Sequence, residues 1–309
     1  MKRVQYDRYG GPEEMYFGDY TPPPLERDQV RVKVKAVAIN PLDWKLRRGA
    51  MKLIIGRAFP KGVGSDYAGT VEAVGEDVTN VHFGDDVFGT MDFKIAGAFA
   101  ESIVVHSRYL TRKPERLSFS EAACLPIPAT TAWAAIIDKA QVRSESRIFI
   151  NGCSGAVGAF AVQLALARGA AVAGSCGKAA MPAAKATGVD PVFNYADSPS
   201  YREAGKFDAI FDTAGTMPVG EGISMLKRGG VFVDINPTPG RAIRGILSGR
   251  YKLAFATMGT EHLPEIAQLA TEGVLRPNVG LEKPFSEALT AIADAESGFR
   301  GAGRLVLAL

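Results

Sequence analysis

Arg147-Ile148-Phe149-Ile150-Asn151-Gly152-Cys153-Ser154-Gly155-Ala156-Val157-Gly158-Ala159-Phe160-Ala161-Val162-Gln163-Leu164-Ala165 reads as a short buried strand, a glycine turn and a helix. Its glycines, Gly152, Gly155 and Gly158, are spaced GxxGxxG, a departure at the second position from the GxGxxG dinucleotide fingerprint. An apolar run that ends in such a turn and enters a helix of small residues aims helical N–H groups and the positive dipole end at a pyrophosphate. Gly152, Ser154, Gly155, Ala156, Val157 and Gly158 are therefore the candidate cofactor-binding residues. The competing reading is a plain strand-to-helix turn in an α/β protein.

Short apolar strands and helices continue on either side of this stretch. Before it, Ser120–Ala123 and Thr130–Ile136 read as helical. After it come strands at Ala170–Ser175, Pro191–Tyr195, Phe207–Asp212 and Gly230–Ile235, a helix over Lys178–Thr187, and one more strand over Lys252–Thr257. Buried strands alternating with helices predict a doubly wound parallel sheet over residues 123–261. Residues 1–122 differ. In Gln29–Ala38, Val30, Val32 and Val34 alternate with Arg31, Lys33 and Lys35, the period of a half-solvated strand. With further strands at Tyr67–Val74, Asp86–Gly89 and Ala98–Val105, this predicts a small antiparallel barrel or sandwich. Residues 262–309 hold helices at Pro264–Glu272 and Ser286–Gly298 and an apolar strand at Arg304–Leu309. They are too few to fold alone and are expected to return to the N-terminal domain.

With 309 residues, 47% apolar and 22% charged, the composition is that of a soluble globular protein with room for two domains. No apolar run approaches the roughly 18 residues of a membrane span, and Met1-Lys2-Arg3-Val4-Gln5 opens no secretory signal. Cys124, Cys153 and Cys176 have no metal spacing and are odd in number, which fits a reducing compartment, the cytoplasm by default. A net charge of +3 with interspersed signs gives no support for nucleic acid as a partner, and no membrane partner is expected.

The end of the second strand of such a fold selects the dinucleotide, an acidic residue there favouring NADH. No carboxylate occurs from Gly174 to Lys185, while Ser175 and Lys178 offer a hydroxyl and an ammonium to a 2′-phosphate, so NADPH is expected. Lys178 also reads as a solvated lysine at a helix start.

Asn40-Pro41-Leu42-Asp43-Trp44, Gly64-Ser65-Asp66-Tyr67-Ala68-Gly69, Gly84-Asp85-Asp86-Val87, Gly97-Ala98-Phe99-Ala100-Glu101, Thr131-Ala132, the Gly152 turn and Gly273-Val274-Leu275-Arg276-Pro277 occur in an order and spacing that carry a family likeness. The chain resembles the zinc-lacking quinone oxidoreductases of the medium-chain dehydrogenase/reductase superfamily. The resemblance implies a Rossmann domain inserted into a GroES-like catalytic domain, NADPH held in a cleft, and a homodimer. It also implies Tyr195 at the 2′-phosphate, Thr131 near the nicotinamide and Asn40 in the substrate pocket. Zinc-dependent members carry Gly-His-Glu where this chain has Gly64-Ser65-Asp66, and a cysteine where it has Asn40. With His82, His106 and His262 scattered, no metal site is expected.

Without a Lewis acid, the chemistry expected is hydride transfer to acceptors that spread negative charge themselves, quinones or α,β-unsaturated ketones and aldehydes. Asn40 is the candidate for positioning substrate, or else a turn residue before Pro41. Tyr67 is the candidate hydrogen-bond or proton donor, or else strand packing. Tyr109-Leu110-Thr111-Arg112-Lys113 matches the Tyr-x-x-x-Lys of short-chain dehydrogenases but precedes the glycine turn, on the wrong side for that class. An NADPH-binding sensor with little turnover is a rival. So is a carrier-linked enoyl reductase, to which Arg241, Arg244, Arg250 and Lys252 would lend a basic patch.

Overall fold

The valine–cation alternation of Gln29–Ala38 forms a strand as its period requires, with Val30, Val32 and Val34 buried and Lys33 in solvent. The computed structural model describes residues 1–197, 200–255, 260–298 and 303–309. They form two units, one of Met1–Ile127, Thr260–Gly273 and Pro277–Leu309, the other of Pro128–Gly259 and Val274–Arg276.

In the first unit the chain makes strands β1 (Lys2–Tyr6), β2 (Met15–Asp19), β3 (Gln29–Ala38) and β4 (Lys61–Gly62). β5 (Asp66–Val74), β6 (Asp86–Thr90), β7 (Ser102–His106) and β8 (Leu110–Arg112) follow. The second unit contributes β9 (Arg147–Asn151), β10 (Ala171–Cys176), β11 (Val192–Asn194), β12 (Phe207–Asp212), β13 (Leu226–Asp234) and β14 (Tyr251–Leu253). β15 (Val279–Pro284) and β16 (Arg304–Ala308) belong to the first unit again.

Two sheets make the first unit, β2-β1-β4 and a larger one ordered β15-β16-β3-β5-β6-β8, with β7 also on β3. Their apolar faces share a core that includes Val4, Val32, Val71, Phe99, Ile103 and Leu307. β3 lies inside the sheet, so beyond Lys35 the alternation ends and Ala36, Val37 and Ala38 are all buried. Its register sets Ala38 opposite Asp66 of β5 and opposite Val306 of β16. Carried two residues further, the antiparallel register brings Arg304 to Asn40.

The second unit is one parallel sheet ordered β11-β10-β9-β12-β13-β14. Ile148, Phe149 and Ile150 are fully buried in its centre, as a strand covered on both faces demands. From β9 the chain first builds outward through β10 and β11, then crosses back to β12 on the other side. The strand order reverses between β9 and β12, and in open α/β sheets ligands bind beyond the carboxyl ends at that reversal. The last strand expected, Lys252–Thr257, forms as Tyr251–Leu253; residues 256–257 lie outside the described residues.

Candidate functional site: a glycine cradle and two buried ion networks

β9 ends at Asn151 and the chain turns at Gly152, whose φ of +85° is a glycine conformation. A Cβ built on Gly152 would lie 2.5 Å from Thr213 Oγ1, and one on Gly158 would lie 2.0 Å from the Gly152 carbonyl oxygen. Two of the three glycines are thus fixed by packing of the turn against Thr213, just past β12, and against the helix Ala156–Ala167. That helix starts at Gly155 with no side-chain cap and no acidic residue in its first turn. Its leading N–H groups have no partner within the helix. With Ser154, Gly155 and Ala156 exposed, the turn leaves N–H groups at a helix start that could hold an anion such as a pyrophosphate.

The end of β10 corrects one expectation. Ser175 is fully buried and its hydroxyl donates to Asn151 Oδ1 at 2.6 Å, so it braces two strand ends instead of facing a phosphate. Lys178 and Tyr195 are exposed, Tyr195 by 61%. A Cβ on Gly177 would meet the Tyr195 ring at 3.4 Å, which sets that ring against the turn preceding Lys178. Thr131 is buried in the helix Pro126–Trp133.

Asn151 starts a chain of polar contacts along the carboxyl edge of the sheet. Its Nδ2 donates to Asp212 Oδ1 at 2.7 Å, and Arg241 binds Asp212 and Asp234 through Nη2, both at 2.7 Å. Arg241 also donates to the Met217 carbonyl, and the Tyr251 hydroxyl donates to Asp234. Both carboxylates are fully buried, so Arg241 is their counter-ion. Arg250 donates to the Gly230 and Lys227 carbonyls and Lys252 to the Lys139 carbonyl. Three of the four cations considered for a carrier-binding patch are therefore engaged within their own unit. Arg241 sits on a helix, Pro239–Leu247, that the glycines and prolines of this segment disguise as a loop.

The first unit holds a second network. Asn40 precedes the helix Pro41–Arg47, and its N–H donates to Asp43 Oδ2 at 2.7 Å. Its side-chain amide is fully engaged: Nδ2 donates to Asp66 Oδ2 at 2.9 Å and Oδ1 accepts from Arg304 Nη2 at 2.8 Å. Arg304 also donates to the carbonyls of Cys124 and Ile39 and lies 3.4 Å from Asp66. Asp66 further accepts from the Ile127 N–H, and Ser65 donates to Asp43 at 2.9 Å. Asn40 is therefore a member of a buried hub, not a free amide. Tyr67 is fully buried in the sheet core, and among the described residues its hydroxyl has no partner. Burial drives its pKa far above the ordinary tyrosine value, which makes it a core side chain and a poor proton donor.

Residues 26–115 match the profile of the alcohol dehydrogenase GroES-like domain, and residues 187–307 that of zinc-binding dehydrogenases. Over its full length the chain is 30% identical to pig (Sus scrofa) quinone oxidoreductase, covering 98% of that protein. The chain belongs to the quinone oxidoreductase family of the medium-chain dehydrogenase/reductase superfamily. It is an oxidoreductase by that membership, and its two units are the GroES-like and Rossmann-type folds of the family. Among other relatives, 2-methylene-furan-3-one reductase of Solanum lycopersicum is 30% identical, with 99% of this chain and 79% of that protein covered. The solved quinone oxidoreductase of Coxiella burnetii superposes with a TM-score of 0.89 at 31% identity, covering 100% and 99% of the two chains.

A zinc ion would need three or four N, S or O ligands. Among the described residues no group of three His, Cys, Asp or Glu could hold a metal ion. At the Asn40 hub, Asp66 already faces a guanidinium and two further donors, and Ser65 donates to Asp43. An arginine that supplies positive charge to these oxygens leaves them unfit as ligands for a dication.

Burial dominates the titration of this hub. It pushes Asp43 up to about 7 and Asp66 up to about 6, in the latter case against the pull of Arg304. The folded chain then holds these protons more tightly than the unfolded chain, so the hub's contribution to stability falls as pH rises from 3.8 to about 7. Asp43→Asn, whose amide oxygen can accept from the Asn40 N–H while its NH2 donates to the Ser65 hydroxyl, is expected to flatten that part of a melting-temperature–pH profile. An unchanged slope would remove Asp43 as its source.

Proposed function

We propose that the chain is a zinc-independent reductase that uses NADPH to reduce a quinone or an α,β-unsaturated ketone or aldehyde. The observation that carries the reading is the Gly152–Gly158 cradle at the strand-order reversal of a Rossmann-type sheet, in a chain whose hub fills with an arginine where a catalytic metal would need ligands. The residues that would hold the dinucleotide are Gly152, Ser154, Gly155, Ala156, Val157 and Gly158 at the pyrophosphate, with Thr131 toward the nicotinamide. Lys178 supplies the charge and Tyr195 the flat, exposed surface at the 2′-phosphate end; Ser175 acts from behind, through Asn151. When bound, NADPH supplies a hydride. The protein's part is binding and orientation, because a quinone or enone delocalises the incoming charge and needs no Lewis acid to do so. The basic patch that a carrier-linked enoyl reductase would use is largely consumed by internal contacts, which favours a free small-molecule acceptor. A homodimer belongs to the proposal: β14 is a sheet edge, and Ile243, Ile246 and Leu247 beside it are exposed.

Lys178→Ala tests the cofactor assignment. Loss of one ammonium from a dianionic phosphate should weaken NADPH binding by about tenfold or more, on the scale of a charge-assisted hydrogen bond, and leave NADH binding within about twofold. Equal weakening of both dinucleotides, read by fluorescence titration, would take Lys178 away from the 2′-phosphate.

A further inference from the structure

We infer that the tip of the first unit made by Lys52–Ile55 and Phe93–Ile95 docks on an anionic lipid bilayer, an inference that rests on the proposed quinone reduction and names its substrate class as membrane-dissolved quinones. From Trp44 to Ser65 the sequence carries Lys45, Arg47, Arg48, Lys52, Arg57 and Lys61 and no Asp or Glu. Arg47 is buried against Glu296, and Arg48, itself exposed, pairs with the same carboxylate, while Lys52, Arg57 and Lys94 are exposed. Between them stand Leu53, Ile54 and Ile95, exposed by 94%, 59% and 57%. The two short turns that bear them pack together, so the three exposed aliphatic residues stand on neighbouring turns, unlike the single exposed apolar residues common on any surface.

The backbone under these residues is fastened. The Tyr9 hydroxyl donates to the Gly56 carbonyl, Lys61 Nζ donates to the Ile55 carbonyl at 2.9 Å, and Asp92 accepts from the Lys94 N–H at 2.9 Å. Asp92, the acidic group beside the tip, also accepts from the Tyr109 hydroxyl. The tip therefore presents apolar side chains outward on a fixed frame, ringed by cations. That pairing suits an interface where aliphatic groups enter the headgroup region and cations meet anionic lipids. A second copy would set these same cations against themselves across a two-fold axis. Nucleic acid would gain from aromatic stacking, which Leu53, Ile54 and Ile95 cannot give. No helix among the described residues is long and apolar enough to cross a membrane, so the contact is with the surface only. It departs from the expectation of no membrane partner, which considered spans and not local charge.

Co-sedimentation of the full chain with vesicles tests this, using phosphatidylcholine alone and phosphatidylcholine with phosphatidylglycerol. Binding is expected to the phosphatidylglycerol vesicles only and to be lost at molar salt, where screening is strong. Lys52→Ala, Arg57→Ala and Lys94→Ala should each weaken it about fivefold, and the pair Leu53→Asp and Ile54→Asp at least about tenfold. NADPH oxidation with a short, water-soluble quinone should stay unchanged in these variants, and turnover of a long isoprenoid quinone held in the same vesicles should fall with binding. Absence of vesicle binding, equal binding by the variants, or dissociation of a dimer by the Leu53 and Ile54 substitutions would overturn the inference. Vesicle binding without turnover of either quinone would count against the proposed reaction while still supporting the docking surface.

Discussion

Arg304→Met is expected to destabilise the chain by about 3–5 kcal/mol, the cost of removing one partner from a buried charge network. The guanidinium serves Asp66, Asn40 Oδ1 and the carbonyls of Cys124 and Ile39 together. Methionine fills much of the same volume but leaves a fully buried carboxylate without its cation and three acceptors without a donor. Arg304→Lys keeps the charge, yet an ammonium lacks the planar fork that reaches four acceptors, so it should recover less than half of the loss. Urea unfolding of the two variants beside the parent reads the difference directly. A loss below about 1 kcal/mol for Arg304→Met would place the interaction in the range of surface ion pairs and dissolve the hub as a structural device.

Gly158→Ala should weaken NADPH binding by at least about a hundredfold, equivalent to roughly 3 kcal/mol. The added Cβ would meet the Gly152 carbonyl oxygen at 2.0 Å, its carbon at 2.9 Å and Cys153 Cα at 3.0 Å. These are backbone atoms of the turn itself, so relief requires the helix Ala156–Ala167 to withdraw from the cradle whose N–H groups would bind the pyrophosphate. The damage is local, and β9 with its neighbours should keep their circular dichroism. Dinucleotide affinity within about threefold of the parent would show that the close approach of helix and turn is not what binds the cofactor.

Sequence pattern carried the strand–turn–helix at Gly152, the alternation in Gln29–Ala38 and the strand Phe207–Asp212, because each depends on local periodicity and on burial that periodicity implies. It could not carry the polar networks. Arg304 reads as the first residue of an apolar strand, and its partner Asn40 stands 264 positions away. Only the β3–β16 register brings the two together. Asn40 and Ser175 looked like side chains available to ligand because a buried acceptor for each, Asp66 and Asn151, is invisible without the sheet. Arg241 looked like a surface cation for the same reason. One signal of that helix is present in the sequence: Ile243, Ile246 and Leu247 recur at helical spacing behind Thr238-Pro239, which in the structure cap and open it. The edge strand Val279–Pro284 gave no signal, since Glu282, Lys283 and Pro284 break any apolar alternation.

NADPH-driven reduction without zinc is decided by one comparison on protein stripped with a chelator. NADPH and NADH oxidation are followed with a quinone and with an enone side by side, before and after zinc is restored. Faster oxidation of NADPH than of NADH with at least one of these acceptors, undiminished by the chelator and unchanged by zinc, is the expected result. Turnover that appears only after zinc is restored, and then with a simple alcohol in place of the quinone or enone, would contradict it.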